Sequence, residues 1–124
     1  IAAFPFHAWT PDVYAGAPTP MSAFMSVAPK AAAILALMRL LVVGMHPIQI
    51  EWTQMLWIIA AATMTFGNTV ALWQKDLKRL LGYSSISQPG YMLVGITAAN
   101  SLGYGAVLFY LFGYLTLVCL KLRY

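Results

Sequence analysis

The sequence predicts an all-α fold, a polytopic bundle of transmembrane helices, on three observations. Of its 124 residues, 61% are hydrophobic and only 8% charged, whereas a soluble domain carries about a quarter charged residues; the natural solvent of this chain is lipid. Apolar stretches of membrane length follow one another: Met21–Val43, Trp52–Trp73, a shorter one at Ser84–Ala99, and Tyr104–Leu120. About 20 apolar residues span a bilayer as a helix, so residues 1–124 read as one membrane domain of four spans. The cations, finally, sort by connection. Lys75, Lys78 and Arg79 lie between the second and third spans and Lys121 and Arg123 follow the fourth, while 44–51 and 100–103 contain no Lys or Arg. That alternation is what antiparallel spans require under the positive-inside rule, with the first span running outward from the cytoplasmic side.

The net charge of +4 therefore orients the chain and does not point to nucleic acid, because the basic residues form no stripe interleaved with exposed aromatics. A single Cys119 within an apolar span excludes a disulfide framework and offers no metal-ligand spacing. The start at Ile1, without a basic segment followed by an apolar run, shows no signal peptide and reads as an internal piece of a longer protein.

Taken in order, Ile1–Phe4 reads as the tail of a helix. Three prolines between Pro5 and Pro18, together with Gly16, then predict an ordered loop. At membrane depth such a segment must be packed in protein or line a polar cavity. His7 is a candidate proton relay, its ordinary pKa of about 6.5 suiting that work; the alternative is a ring whose nitrogens bond loop carbonyls. Asp12 reads as a turn residue that caps local amides.

The first span holds the decisive residue, Lys30. Nine helical steps from Met21 place its amine roughly 13 Å into a hydrocarbon core of about 30 Å. Insertion scales charge about 2.5–3.5 kcal/mol for a lysine at that depth, so it needs a partner and a role. Pro29 beside it lacks an N–H, which predicts a loosened helix and a free Met25 carbonyl. Ser22, Ser26 and Lys30, spaced by four, share one face and form a polar line from the helix start to the membrane centre.

The second span is framed by Trp52 and Trp73, placed for the two interfaces. Its polar members are Thr63, Thr65, Asn68 and Thr69, of which the last three share a face, and they serve to tie helices together. Before the third span, Lys78 lies on the apolar side of a Leu-rich turn and is a candidate inlet, reaching toward the Ser84–Gln88 hydroxyl and amide cluster. Those serines are candidate caps of the third span, and Pro89-Gly90 predicts a second break in regular helix. In the fourth span Gly103, Gly105, Ala106 and Gly113 suit close packing, and Tyr110 and Tyr114 share a face.

The stretches Pro5-Phe6-His7-Ala8-Trp9-Thr10-Pro11-Asp12-Val13-Tyr14 and Lys78-Arg79-Leu80-Leu81-Gly82-Tyr83-Ser84-Ser85-Ile86-Ser87, the latter followed by Gly90-Tyr91, resemble the two signatures of the antiporter-like membrane subunits of respiratory complex I. Val13-Tyr14 and Gly16-Ala17-Pro18-Thr19-Pro20 favour the subunit N type, called chain 2 in mitochondria and type B in chloroplasts. The resemblance covers nearly the whole chain but only a middle portion of the family's subunit. It implies an inverted-repeat antiporter-like fold with broken helices, and a proton path through membrane-centre ionisable residues. Lys30 then matches the bridging lysine of the eighth helix, while a second lysine, its glutamate partner and a late-helix lysine lie outside this chain. Gln88-Pro89 departs from the family, where a histidine and an apolar residue are common, and the segment from Leu117 to Tyr124 lacks the expected small residues.

The function implied is that of a translocase subunit of NADH:quinone oxidoreductase, in which Lys30 relays protons as quinone reduction elsewhere changes the electrostatics. Ser22, Ser26, His7 and Lys78 are candidate path or inlet residues. NADH, flavin, iron–sulfur clusters and quinone belong to partner subunits, and this chain shows no nucleotide loop of its own. Its expected partners are the other membrane subunits of the complex and the lipid bilayer. The membrane is a bacterial plasma membrane, or an organelle inner or thylakoid membrane. A cation/proton antiporter or membrane-bound hydrogenase subunit shares the architecture, and a structural scaffold, in which Lys30 is a permanent ion-pair partner, is the reading of a different class.

Overall fold

The computed structural model describes residues 3, 4, 6–98 and 100–123, side chains of 121–123 excepted, and the described residues form five α-helices. These are α1 (Thr10–Gly16), α2 (Thr19–Arg39), α3 (Gln49–Leu72), α4 (Leu77–Thr97) and α5 (Ser101–Arg123). Ile1 and Ala2 of the expected helix tail lie outside the described residues, as do Pro5, Ala99 and the side chains of Lys121 and Arg123. Phe4 sits in a turn closed by the Phe6 N–H on the Ala3 carbonyl at 2.7 Å, and its own N–H donates to Thr63 Oγ1 at 3.0 Å.

Where the prolines predict only a loop, the chain winds into α1. The reason is position: Pro11 falls in the first turn, where the missing N–H has no intrahelical partner to lose, and Pro18 comes after the helix has ended. α2 uses Pro20 in the same way. It then passes into a π-helical turn, Leu40–Gly44, and a 3₁₀ turn, His46–Ile48, that reverse the chain into α3. Trp52 is buried and closes this reversal, its indole N–H donating to the Met45 carbonyl at 3.0 Å.

Neither Pro29 nor Pro89 interrupts its helix. Each removes one backbone bond while its neighbours hold the winding, as packing against adjacent helices permits in a membrane. The irregular turn of α2 comes instead at 40–44. The Ser84–Ser87 cluster likewise lies inside α4 and not at its start, because the helix begins at Leu77 behind Asp76.

Among the described residues, three helical stretches are long and apolar enough to cross a membrane: Thr19–Gly44, His46–Leu72 and Ser101–Leu120. The third expected span coincides with most of α4, which is 21 residues long but carries Ser84, Ser85, Ser87 and Gln88 and is not among those three. Its place explains its composition. α4 packs along α3 and also touches α1, α2 and α5, burying Ser85, Ile86, Ser87, Met92, Leu93 and Ile96. The outer helices turn Phe24, Ile58, Phe109 and Phe112 outward. Apolar faces outside and hydroxyls within suit a lipid solvent, and the chain is an integral membrane protein.

The contacts around α4 rely on missing side chains. A Cβ on Gly90 would lie 2.8 Å from Met64 Cγ, and one on Gly67 would lie 3.1 Å from the Ser87 nitrogen. At the α4–α5 crossing, a Cβ on Gly103 would sit 2.5 Å from the Gly95 carbonyl oxygen. Gly105 and Gly113, read above as packing residues, have nothing within 4 Å of an added Cβ, so within this chain only Gly103 of the three plays that part. Of the α3 polar face, Asn68 alone reaches across, donating to the Tyr91 hydroxyl at 3.0 Å; Thr65 and Thr69 bond back to their own helix.

Candidate functional site

The site is built where α2, α4 and α1 meet. Midway along α2, Lys30 points inward with 6% of its surface exposed. Its amine donates to two acceptors of one residue on α4, the carbonyl oxygen and the hydroxyl of Ser85. Ser85 is itself 3% exposed, and its Oγ lies 3.1 Å from the hydroxyl of Tyr14 on α1. An amine, an alcohol and a phenol thus form a hydrogen-bonded row through the interior. Among the described residues no carboxylate lies within ion-pair distance of Lys30; Asp12, on α1, pairs with Arg79 at 3.2 Å on the surface.

Beside the row lies a cavity of about 540 Å³ between α2, α4 and α5. Tyr14 and Ser85 line it, and so do Ser22 and Ser26 from α2 and Tyr110 and Tyr114 from α5. Ser84, Gln88 and Lys78 complete its polar wall. Tyr110 donates to Gln88 Oε1, and Tyr114 lies beside both Ser85 and Ser26. A space of this size holds many waters, each needing only two to four polar partners. Burial pushes the Tyr14 phenol above its ordinary pKa, the hydrogen bond from Ser85 opposing that only in part.

The residues singled out from the sequence fall into three positions. Ser22 and Ser26 share the cavity wall with Ser85, but their hydroxyls donate to the Tyr14 and Ala23 carbonyls, at 3.3 Å and 2.6 Å, and not to Lys30. Lys78 is exposed and lines the cavity, its amine donating to the Ala17 carbonyl at the end of α1 at 3.4 Å. His7 is elsewhere. Its ring packs on Phe66 with centroids 4.3 Å apart and stacks on Phe4, and it does not line the cavity. Its Nδ1 and the hydroxyl of Thr10 are buried without a hydrogen-bond partner among the described residues.

In the sequence Ser85 stands out only as one of the Ser84–Gln88 cluster and Tyr14 only as part of a signature, neither as a partner of Lys30. For Ser85 the signal is Pro89, four residues on, which has no N–H to offer its carbonyl. For Tyr14 nothing local distinguishes it from other loop aromatics; only the fold of α1 against α4 brings it to Ser85.

Residues 1–121 match the family described as NADH:quinone oxidoreductase/Mrp antiporter, transmembrane. The chain is 54% identical over 114 residues to the NADH-quinone oxidoreductase subunit N of Trichlorobacter lovleyi, covering 92% of this chain and 23% of that protein. It is 50% identical over 123 residues to subunit N of Chlorobium chlorochromatii, covering 93% and 24%. A cyanobacterial relative, the NAD(P)H-quinone oxidoreductase subunit 2 of a Picosynechococcus species, is 49% identical over 115 residues, covering 93% and 22%. The chain thus spans less than a quarter of the length of these curated relatives.

Proposed function

Because the chain belongs to the NADH:quinone oxidoreductase/Mrp antiporter membrane family, we propose that it is part of a proton-translocating subunit of an NADH:quinone oxidoreductase, with Lys30 as a relay. The observation that carries this reading is an amine buried among helices with hydroxyl and carbonyl partners and, among the described residues, no acid to hold it charged. A lysine in low dielectric loses its proton far more readily than in water. Ser85 Oγ accepts a proton from the ammonium as it passes its own to Tyr14, and Tyr14 delivers to the cavity that Lys78 lines. The amine is reprotonated from a donor elsewhere in the full-length subunit.

The description of the family also covers cation/proton antiporters, and the relatives named as quinone oxidoreductase subunits N and 2 favour the redox-driven complex. Oxidation of NADH through flavin and iron–sulfur clusters, and reduction of quinone, belong to partner subunits. Other membrane subunits and lipid cover the outward apolar faces, in a bacterial plasma membrane.

Lys30→Arg tests the reading. Arginine keeps the charge and cannot be deprotonated at working pH. In inverted membrane vesicles carrying the assembled complex, protons moved per quinone reduced should drop, with the share of transport that depends on Lys30 lost at every pH. Undiminished pumping would remove the relay and leave a permanently charged lysine that sets helix register.

A further inference from the structure

We propose that Pro89 is the positioning residue for the Lys30 amine, an inference that rests on the relay reading above. In a regular α-helix the Ser85 carbonyl accepts the N–H of residue 89. Proline has no N–H, so this one carbonyl on the buried face of α4 is left to find another donor. Pro89 and Ser85 are both buried within α4, and an unsatisfied carbonyl there is strongly disfavoured. Lys30 supplies the donor from α2: its amine bonds the Ser85 carbonyl and, with a second N–H, the Ser85 hydroxyl.

The two imperfections complete each other. A lysine amid apolar helices lacks an acceptor; a proline within a buried helix leaves one over. The carbonyl oxygen is the fixed half of the pair, because it belongs to a backbone held by the contacts of Gly67 with Ser87 and of Gly90 with Met64 on α3. It holds the amine beside Ser85 Oγ, at the head of the row that leads to Tyr14. A carbonyl accepts from the ammonium and stabilises the charged form of the relay, so residue 89 sets how firmly Lys30 keeps its proton as well as where it sits.

Pro89→Ala in the full-length subunit of the assembled complex is the test, alone and combined with Lys30→Met. Alanine restores the N–H and returns the Ser85 carbonyl to its own helix. Thermal stability of the complex is measured around the four-member cycle, and proton transport by vesicles is measured against pH for each member. In the native background Lys30→Met strands the carbonyl and should lower the melting temperature; in the Pro89→Ala background the same substitution should lower it markedly less. Pro89→Ala alone should move the alkaline limb of the transport profile to lower pH by about one unit, the size expected when a charged donor loses one buried acceptor.

Equal losses from Lys30→Met in both backgrounds overturn the pairing of carbonyl and amine. A coupled cycle with an unmoved pH profile, where Lys30→Met abolishes transport, overturns the positioning role. Undiminished transport by Lys30→Met overturns the relay reading instead, and the stability cycle then decides the pairing by itself.

Discussion

Ser85 serves two helices with two atoms. Its carbonyl and hydroxyl both accept from Lys30, and the hydroxyl also meets Tyr14. The part of the site visible in the sequence was the donor: a lone lysine in an apolar run announces itself, and Lys30 is buried as such a residue must be. The acceptor was hidden because a serine among serines carries no special mark, and because Pro29 and Pro89 free one carbonyl each, at Met25 and Ser85, with nothing local to say which of the two meets the amine. Tyr14 gives the residue-scale prediction. Tyr14→Phe removes only the hydroxyl at 3.1 Å from Ser85 Oγ. Losing one such bond is worth about 0.5–1.5 kcal/mol, so proton transport should fall roughly two- to tenfold. Burial raises this phenol above its ordinary value of 10.0, so it keeps its proton at every pH below that value, and any stability tied to the neutral form is lost only as pH rises through the raised folded value. The defect should therefore be constant between about pH 6 and 9. A defect that disappears at either end of that range would mean that Tyr14 acts through its charge.

Among the elements, α4 departs furthest from what its composition suggests. Read by hydropathy it is the weakest span, and the sequence places its start at Ser84; the structure starts it at Leu77 and surrounds it with α1, α2, α3 and α5. The helix runs further than the apolar stretch because the charged turn 77–81, which resembles a connection in sequence, is wound into it, with Lys78 and Arg79 holding α1 through Ala17 and Asp12. The Asp12–Arg79 pair is solvent-exposed and contributes little by itself; α1 is held by the buried Tyr14 as well. The apolar elements α2, α3 and α5 were readable because membrane length leaves little choice. Which small residues sit in the contacts was not, since Gly103 and Gly105 look alike in sequence and only one faces a neighbour. Gly103→Ala should accordingly weaken the α4–α5 crossing: its Cβ would come within 2.5 Å of the Gly95 carbonyl oxygen, a backbone atom with no rotamer to yield. Overpacking of this kind costs about 1–3 kcal/mol. A lower melting temperature of the detergent-solubilised complex is the expected reading, and an unchanged one would show that the two helices slide apart freely.

For the molecule as a whole, sidedness follows from where the charges meet the ends of the helices. The α3–α4 connection carries Lys75 ahead of Lys78 and Arg79, and Trp73 beside it is exposed at the end of α3. The α2–α3 reversal, where Met45 accepts from Trp52, contains no Lys or Arg between 44 and 51. Moving the first connection through a membrane would require desolvating several cations, whereas the second presents only the short polar set of His46, Gln49 and Glu51. Lys78 lines the cavity from the cationic side, so under the proposed relay the orientation of the chain also decides which compartment the row from Lys30 to Tyr14 addresses. In the full-length subunit with Cys119→Ser, Asp76→Cys should react with a membrane-impermeant maleimide only in inverted vesicles, and His46→Cys only in intact cells. Both positions are exposed here. Were the two accessibilities reversed, the cavity would open to the opposite compartment, and the path from Lys30 through Ser85 and Tyr14 would carry protons to or from the outer side.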